Sequence, residues 1–122
     1  MGKSVLIVDD SMSMRQALSI ALRGAGYDVV EAVDGGDGLR KLDGHKFDLI
    51  ISDVNMPNMD GISFVKAVKG LPAHRFTPAL MLTTESDTEK VRAGKEAGVR
   101  AWMLKPFQPP ALLAAVAKLI TL

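Results

Sequence analysis

A chain of 122 residues with 48% apolar content and a formal charge of +1 has the size of one globular domain, burying roughly 65% of its unfolded surface. That charge balance, with no dense basic stripe, argues against a dedicated nucleic-acid binder, and the absence of cysteine excludes a disulfide frame or a thiolate metal site. No apolar run approaches a membrane span, and the opening segment meets Asp9 and Asp10 too early for a signal peptide. A cytoplasmic protein is expected.

Short apolar runs alternate with helical patterns along the whole chain. Val5 to Val8 predicts the first strand. From Ser11, apolar residues at Met14, Ala17, Leu18, Ala21 and Leu22 follow the spacing of an amphipathic helix; Ser13 with Gln16 offers a capping box, and Gly24 and Gly26 a stop. Val29 to Ala32 predicts a second, more polar strand, and Gly36 to Leu42 a short helix weakened by glycine. Leu49 to Ile51 is the third strand; Phe64, Val65 and Val68 mark the third helix. Ala79 to Leu82 is the fourth strand, entered after Pro78. Ser86 with Glu89 suggests a second capping box, opening a helix that runs to Ala97 and is closed by Gly98. Its interior Gly94 costs about 1 kcal/mol relative to Ala, making it the least secure helix. Ala101 to Leu104 is the fifth strand, and Pro109-Pro110 starts a last helix over Ala111 to Ile120, apolar on nearly every side.

Strands alternating with helices predict an α/β fold: a doubly wound, five-stranded parallel sheet with helices on both faces. The first, third and fourth strands are the most continuously apolar and belong in the middle, while Asp28 and Glu31 suit the second to an edge. This favours the flavodoxin-like order 2-1-3-4-5, whose ligand crevice lies beyond the carboxyl ends of the strands. Those ends carry Asp9-Asp10, Asp53, Thr83 and Lys105.

Three carboxylates sharing one crevice repel. Two unit charges at about 4 Å cost roughly 4 kcal/mol at an effective dielectric near 20. One lysine does not cancel that, and the arrangement asks for a hard divalent cation with oxygen ligands, Mg2+ before others. A carboxylate beside Mg2+ and a lysine can attack phosphorus and form an aspartyl phosphate, with cation and ammonium neutralising the phosphoryl oxygens. Taken singly the residues say little: Asp9 and Asp10 suit a helix start, Asp53 a turn, Thr83 a strand end, Lys105 a solvated surface. Their joint order on four strand ends gives the chemical reading its weight. His45 and His74 have no ligand spacing and are expected to face solvent. Met56 and Met59 should be partly exposed, and the Gly-rich Gly35–Gly38 stretch lacks a dinucleotide fingerprint.

The order Asp9-Asp10, Asp53, Thr83, Lys105-Pro106, with the loop Asn55-Met56-Pro57-Asn58-Met59-Asp60-Gly61, resembles the receiver domain of two-component response regulators from about Ser4 to Leu119. The resemblance implies that Asp53 accepts a phosphoryl group from a histidine kinase. It makes Asp10 the direct Mg2+ ligand, Asp9 a support through water, and Asn55 a ligand through its backbone carbonyl beside Asp53. Thr83 becomes the switch hydroxyl, Lys105 the cation on the phosphoryl group, and Trp102 the aromatic switch position, where the family usually has Tyr or Phe. The Lys105-Pro106 bond is expected to be cis. Asn55 and Glu85 stand where the family tunes hydrolysis, which implies a short-lived acyl phosphate. Thr84 stands where receivers usually keep Ala or Gly, so Thr84→Ala should speed both phosphorylation and hydrolysis with a small phosphodonor; unchanged rates would count against a role in access. The bulk of Trp102 is expected to restrict its inward rotation.

The resemblance thus predicts a single receiver domain over residues 1–122 without an output domain, a monomer that catalyses its own phosphorylation and dephosphorylation. Its target would be a downstream protein, such as a flagellar motor switch component in chemotaxis, met through a surface built from the last helix, the fifth strand and the fourth helix. A phosphatase could be a further partner; nucleic acid and membrane are not expected. A phosphorelay intermediate or phosphate sink is the alternative. A Mg2+-dependent aspartyl phosphatase, disfavoured because Asn55 stands where a second Asp is wanted, a flavodoxin and an unphosphorylated interaction module are the remaining rivals.

Overall fold

The computed structural model describes residues 2–121. In chain order it contains β1 (Ser4–Val8), α1 (Met12–Gly24), β2 (Asp28–Ala32), α2 (Gly35–Leu42), β3 (Leu49–Ser52), α3 (Gly61–Lys69), β4 (Ala79–Thr83), α4 (Thr88–Ala97), β5 (Ala101–Leu104) and α5 (Pro109–Ile120), with a 3-10 turn at Pro72–His74 before β4. The strands form one parallel sheet in the order β2-β1-β3-β4-β5, as the sequence pattern predicts.

Alternation along β1 divides the core. Val5 and Ile7 face α1 and α5, packing with Leu18, Leu22, Leu112, Val116 and Leu119. Leu6 and Val8 face the other layer, with Leu42, Phe64, Val65, Val68 and Ala97 from α2, α3 and α4. Every residue of β3 and β4 is buried, whereas β2 and β5 are only partly covered, so the apolar runs do occupy the middle of the sheet. The glycines of α2 have a packing use that composition hides. A Cβ on Gly38 would stand 2.8 Å from the Phe64 ring, so the weak helix is the one that lets α3 approach closely.

Both predicted capping boxes are displaced. In α1 the cap is Ser11, whose Oγ accepts from the Met14 N–H, and Ser13 Oγ pairs only with Ser11 Oγ. In α4 the cap is Asp87 rather than Ser86, accepting from the N–H groups of Glu89 and Lys90. A charged acceptor holds two orphan donors more strongly than a hydroxyl and suits the helix dipole. Ala17, expected on the buried stripe, is exposed, and Ser19 is buried in its stead. His74 is also corrected: it is buried at 7% exposure within the 3-10 turn. His45 is exposed as expected and stacks on Phe47 at 4.2 Å.

Asp60 caps α3 immediately after the Asp53 loop, accepting from Ser63 N–H and Oγ. Partial burial would raise its pKa, but the bonds from Ser63 and Ile62 outweigh it and hold the carboxyl below its ordinary range. The stabilisation is therefore present above the unfolded carboxylate value near 3.9 and is lost as pH falls through the lower folded value. Asp60→Ala should cost about 1 kcal/mol at pH 7. In urea titrations the gap between variant and wild type should close towards pH 2; a gap independent of pH would refute the assignment.

Candidate functional site

The carboxyl ends of β1, β3, β4 and β5 converge because the strands are parallel and in register. Val8 pairs with Ser52, and Thr83 with Leu104, so Asp9, Asp53 and Lys105 each sit one residue beyond a paired position. The Asp9 N–H donates to Ala32, Asp53 N–H to Val8 and Lys105 N–H to Thr83, which carries the sheet's order into the loops that hold the side chains.

Lys105 joins the strand ends. Its Nζ donates to Asp9 Oδ2 at 2.9 Å and to Asp53 Oδ2 at 3.0 Å, although these partners lie 96 and 52 residues away in the chain. Burial alone would lower the lysine's pKa; the two carboxylates reverse this and hold it above its ordinary value. Asp9 and Asp53 are 2% and 8% exposed. Their remaining oxygens are also fixed: Asp53 Oδ1 accepts from the Val54 N–H at 2.7 Å, and Asp9 Oδ1 from the Ser11 N–H at 2.9 Å. The Lys105-Pro106 bond is cis.

Asp10 completes the cluster. It is exposed, and one ligand oxygen each from Asp9, Asp10 and Asp53 lies within 4.8 Å of the others. Lys105 pairs with Asp9 and Asp53 but not with Asp10, so three negative charges meet one positive charge. This donor set fits a hard divalent cation reached from the solvent side, with carboxylate oxygens and water as ligands. Receiver domains bind Mg2+ at an acidic pocket of this kind.

Thr83 ends β4 fully buried, with its Oγ1 accepting from the Glu85 N–H at 3.2 Å. Thr84 is exposed on the following loop. Glu85 links several of the predicted residues. Its carboxylate accepts from Asn55 Nδ2 at 3.4 Å and from the Asp87 N–H, and pairs with Lys90 at 3.6 Å. Its carbonyl accepts from Trp102 Nε1 at 2.9 Å. Met56 and Met59 are half-buried, as expected.

Trp102 is half-buried, and its room comes from Gly94: a Cβ there would stand 2.8 Å from the indole Cζ3. The missing side chain on α4 is what seats the indole in this position. Neither this seat nor Lys90 was identified from the sequence. The available signal was a glycine inside a helix, which reads as a propensity defect until the facing strand is known. A cleft beside it is lined by Val91, Lys95, Val99, Arg100, Trp102 and Leu104, away from the acids.

Comparison with known proteins agrees with this geometry. The response regulator receiver domain family matches residues 5–117. The chemotaxis protein CheY4 of Vibrio cholerae is 49% identical, with a TM-score of 0.94 over 98% of this chain and 99% of that one. A putative response regulator of Chloroflexus aurantiacus is 35% identical with a TM-score of 0.94, covering 100% of both chains. The DNA-binding response regulator MtrA of Mycolicibacterium smegmatis is 35% identical over 116 residues, which are 95% of this chain and 50% of MtrA. The chain thus spans about half the length of the curated relatives it matches. Among the described residues no helix is long and apolar enough to cross a membrane. With the family match running from β1 into α5 and the acids and the lysine brought to one sheet edge, this chain belongs to the response regulator receiver domain family.

Proposed function

We propose that the chain accepts a phosphoryl group on Asp53 from the phosphohistidine of a histidine kinase and thereby changes its affinity for a downstream protein. The observation that carries this reading is the Lys105 bridge to Asp9 and Asp53 beside Asp10. A carboxylate oxygen of Asp53 attacks phosphorus, the P–N bond to the donor imidazole breaks, and the nitrogen leaves with the electron pair. Asp9, Asp10, Asp53 and the Asn55 carbonyl would hold Mg2+, which when bound supplies positive charge opposite the phosphoryl oxygens. Lys105 supplies the second positive charge, with the phosphoryl group replacing part of its contact with Asp53. Water later attacks the same phosphorus, the bond from phosphorus to the Asp53 oxygen breaks, and the carboxylate is restored as inorganic phosphate leaves; Asn55 and Glu85, joined at the rim, stand where they can govern the water's approach.

The signal leaves through Glu85. Thr83 Oγ1 is tied to the Glu85 N–H, and Trp102 to the Glu85 carbonyl. When the Thr83 hydroxyl turns to a phosphoryl oxygen on Asp53, it draws on the loop that holds Trp102, and the indole is seated on α4. The cleft between α4 and β5 is the surface this motion alters. A chemotaxis role with a flagellar motor switch component as target is favoured by the likeness to CheY4, itself a chemotaxis protein.

The test is incubation with Mg2+ and acetyl phosphate, with peptide mapping of the labelled acid and beryllofluoride as a stable mimic. Label on Asp53, together with a change in emission from the single tryptophan, supports the reading. A wild type that stays unlabelled under conditions that label a known receiver overturns it.

A further inference from the structure

We propose that Arg15 is a positioning residue for the acidic pocket: it fixes the Asp9–Asp10 peptide so that both carboxylates point at one cation, and Glu31 and Ser19 hold Arg15 in place. This rests on the reading of Asp9, Asp10 and Asp53 as cation ligands, and adds a residue outside the ligand set. Arg15 lies in the first turn of α1 with its side chain only 13% exposed. Its Nη1 donates to the Asp9 backbone carbonyl at 2.7 Å. Its Nε donates to Glu31 Oε1 at 3.3 Å, and Ser19 Oγ donates to Glu31 Oε2 at 2.9 Å.

Asp9 is therefore held at three separate groups. Its N–H is tied to the Ala32 carbonyl and its carboxylate to the Ser11 N–H and Lys105. The remaining group, the carbonyl, is tied to Arg15. A peptide is planar, so fixing that carbonyl also fixes where N and Cα of Asp10 lie, which leaves only its φ and side-chain torsions to aim the carboxylate. Asp10 is exposed and receives no ion pair from Lys105. Its backbone is thus held on one side by the peptide that Arg15 fixes and on the other by the Ser11 N–H bond to Asp9 Oδ1.

Glu31 has two effects. It is on β2 opposite Ile7, so Arg15 is anchored to the sheet edge rather than to its own helix. Its charge also cancels that of the guanidinium, which would otherwise repel a divalent cation bound a few residues away. The pair orients the acids without opposing the ion. Partners behind the ligands of a metal site commonly carry this role.

The two physical effects of Arg15 predict opposite signs. If only charge mattered, Arg15→Met would tighten cation binding, because a positive group is lost. If positioning dominates, it weakens binding, by about 10-fold or more. The experiment titrates the full chain with Mn2+, counts free ion by electron paramagnetic resonance, and repeats the titration with Mg2+ as competitor. Thermal melts in EDTA establish that each variant is folded. Weaker binding by Arg15→Met, with Arg15→Lys lying between it and wild type, supports the proposal. Ser19→Ala loosens Glu31, and through it Arg15, without changing any charge; it should shift binding in the same direction by less than 10-fold, and it carries the test if Arg15→Met does not fold. Equal or tighter binding by the folded variants overturns the role of Arg15. A wild type that binds no Mn2+ overturns the cation site itself, and this proposal with it.

Discussion

Asp53→Asn is expected to abolish incorporation of phosphate from acetyl phosphate while leaving the fold intact. The amide keeps the shape of the carboxyl, and its oxygen can still accept from the Val54 N–H that holds Oδ1. What disappears is the anionic nucleophile, for which Asp9, held by Ser11 and Lys105, and Asp10, at the solvent edge, are placed as poor substitutes. Labelling should fall to background, with emission from Trp102 insensitive to beryllofluoride.

The same variant should behave differently in stability. Wild-type Asp53 sits with Asp9 and Asp10, their ligand atoms within 4.8 Å, and each carboxylate pair opposes folding by roughly 4 kcal/mol at an effective dielectric near 20. Against this, Asp53 accepts one of the two Lys105 bonds to the acids, a single attraction at the same dielectric set against two repulsive pairs. Repulsion exceeds attraction, so the melting temperature of Asp53→Asn in EDTA should equal or exceed that of wild type. A variant that loses both label and several degrees of melting temperature would show that Asp53 is chiefly a structural partner of Lys105.

That tension explains why the site was legible in the sequence. A cluster of acids at strand ends is a poor solution for stability, so its presence at Asp9, Asp10 and Asp53 pointed to chemistry, and parallel topology brought Lys105 to it. The sheet order followed from which strands carried continuous apolar runs. Details decided by tertiary contact were not legible. Ser13 and Ser86 match the capping-box spacing, yet Ser11 and Asp87 cap, because the short connections from β1 and β4 set where each helix begins. His74 lies in a three-residue turn with no period to read, and only the packing around Pro72–His74 shows it buried. Gly94 looked like a weakness of α4 and is the space Trp102 occupies. Nothing in the sequence marks Arg15, since its carbonyl partner belongs to a strand end that sequence spacing does not place beside it.

Gly61→Ala should be among the most destabilising single substitutions near the site, because the crowding falls on backbone. A Cβ at Gly61 would lie 1.9 Å from the carbonyl oxygen of Asp53 and 3.0 Å from Ser52 Oγ. That carbonyl is already engaged by Ser52 Oγ, and the Gly61 N–H donates to Val54, so the start of α3 is bonded directly to the segment carrying Asp53. No side-chain rotation relieves such a contact. Either α3 retreats, breaking the bond to Val54, or the Asp53 peptide turns and misdirects the carboxylate. The expected loss is about 3 kcal/mol, a large part of the 5–15 kcal/mol typical of a domain, read as a lower urea midpoint. Gly36→Ala is the matched control. Its nearest neighbour would be Asp34 Oδ1 at 3.6 Å, so helix propensity should stabilise it by up to about 1 kcal/mol. The folded fraction of Gly61→Ala should also accept phosphate more slowly than wild type, since the displaced peptide is the one that aims Asp53. Equal midpoints for the two variants would show that α3 moves freely against the Asp53 loop, and the rigid link between helix and loop would have to be abandoned.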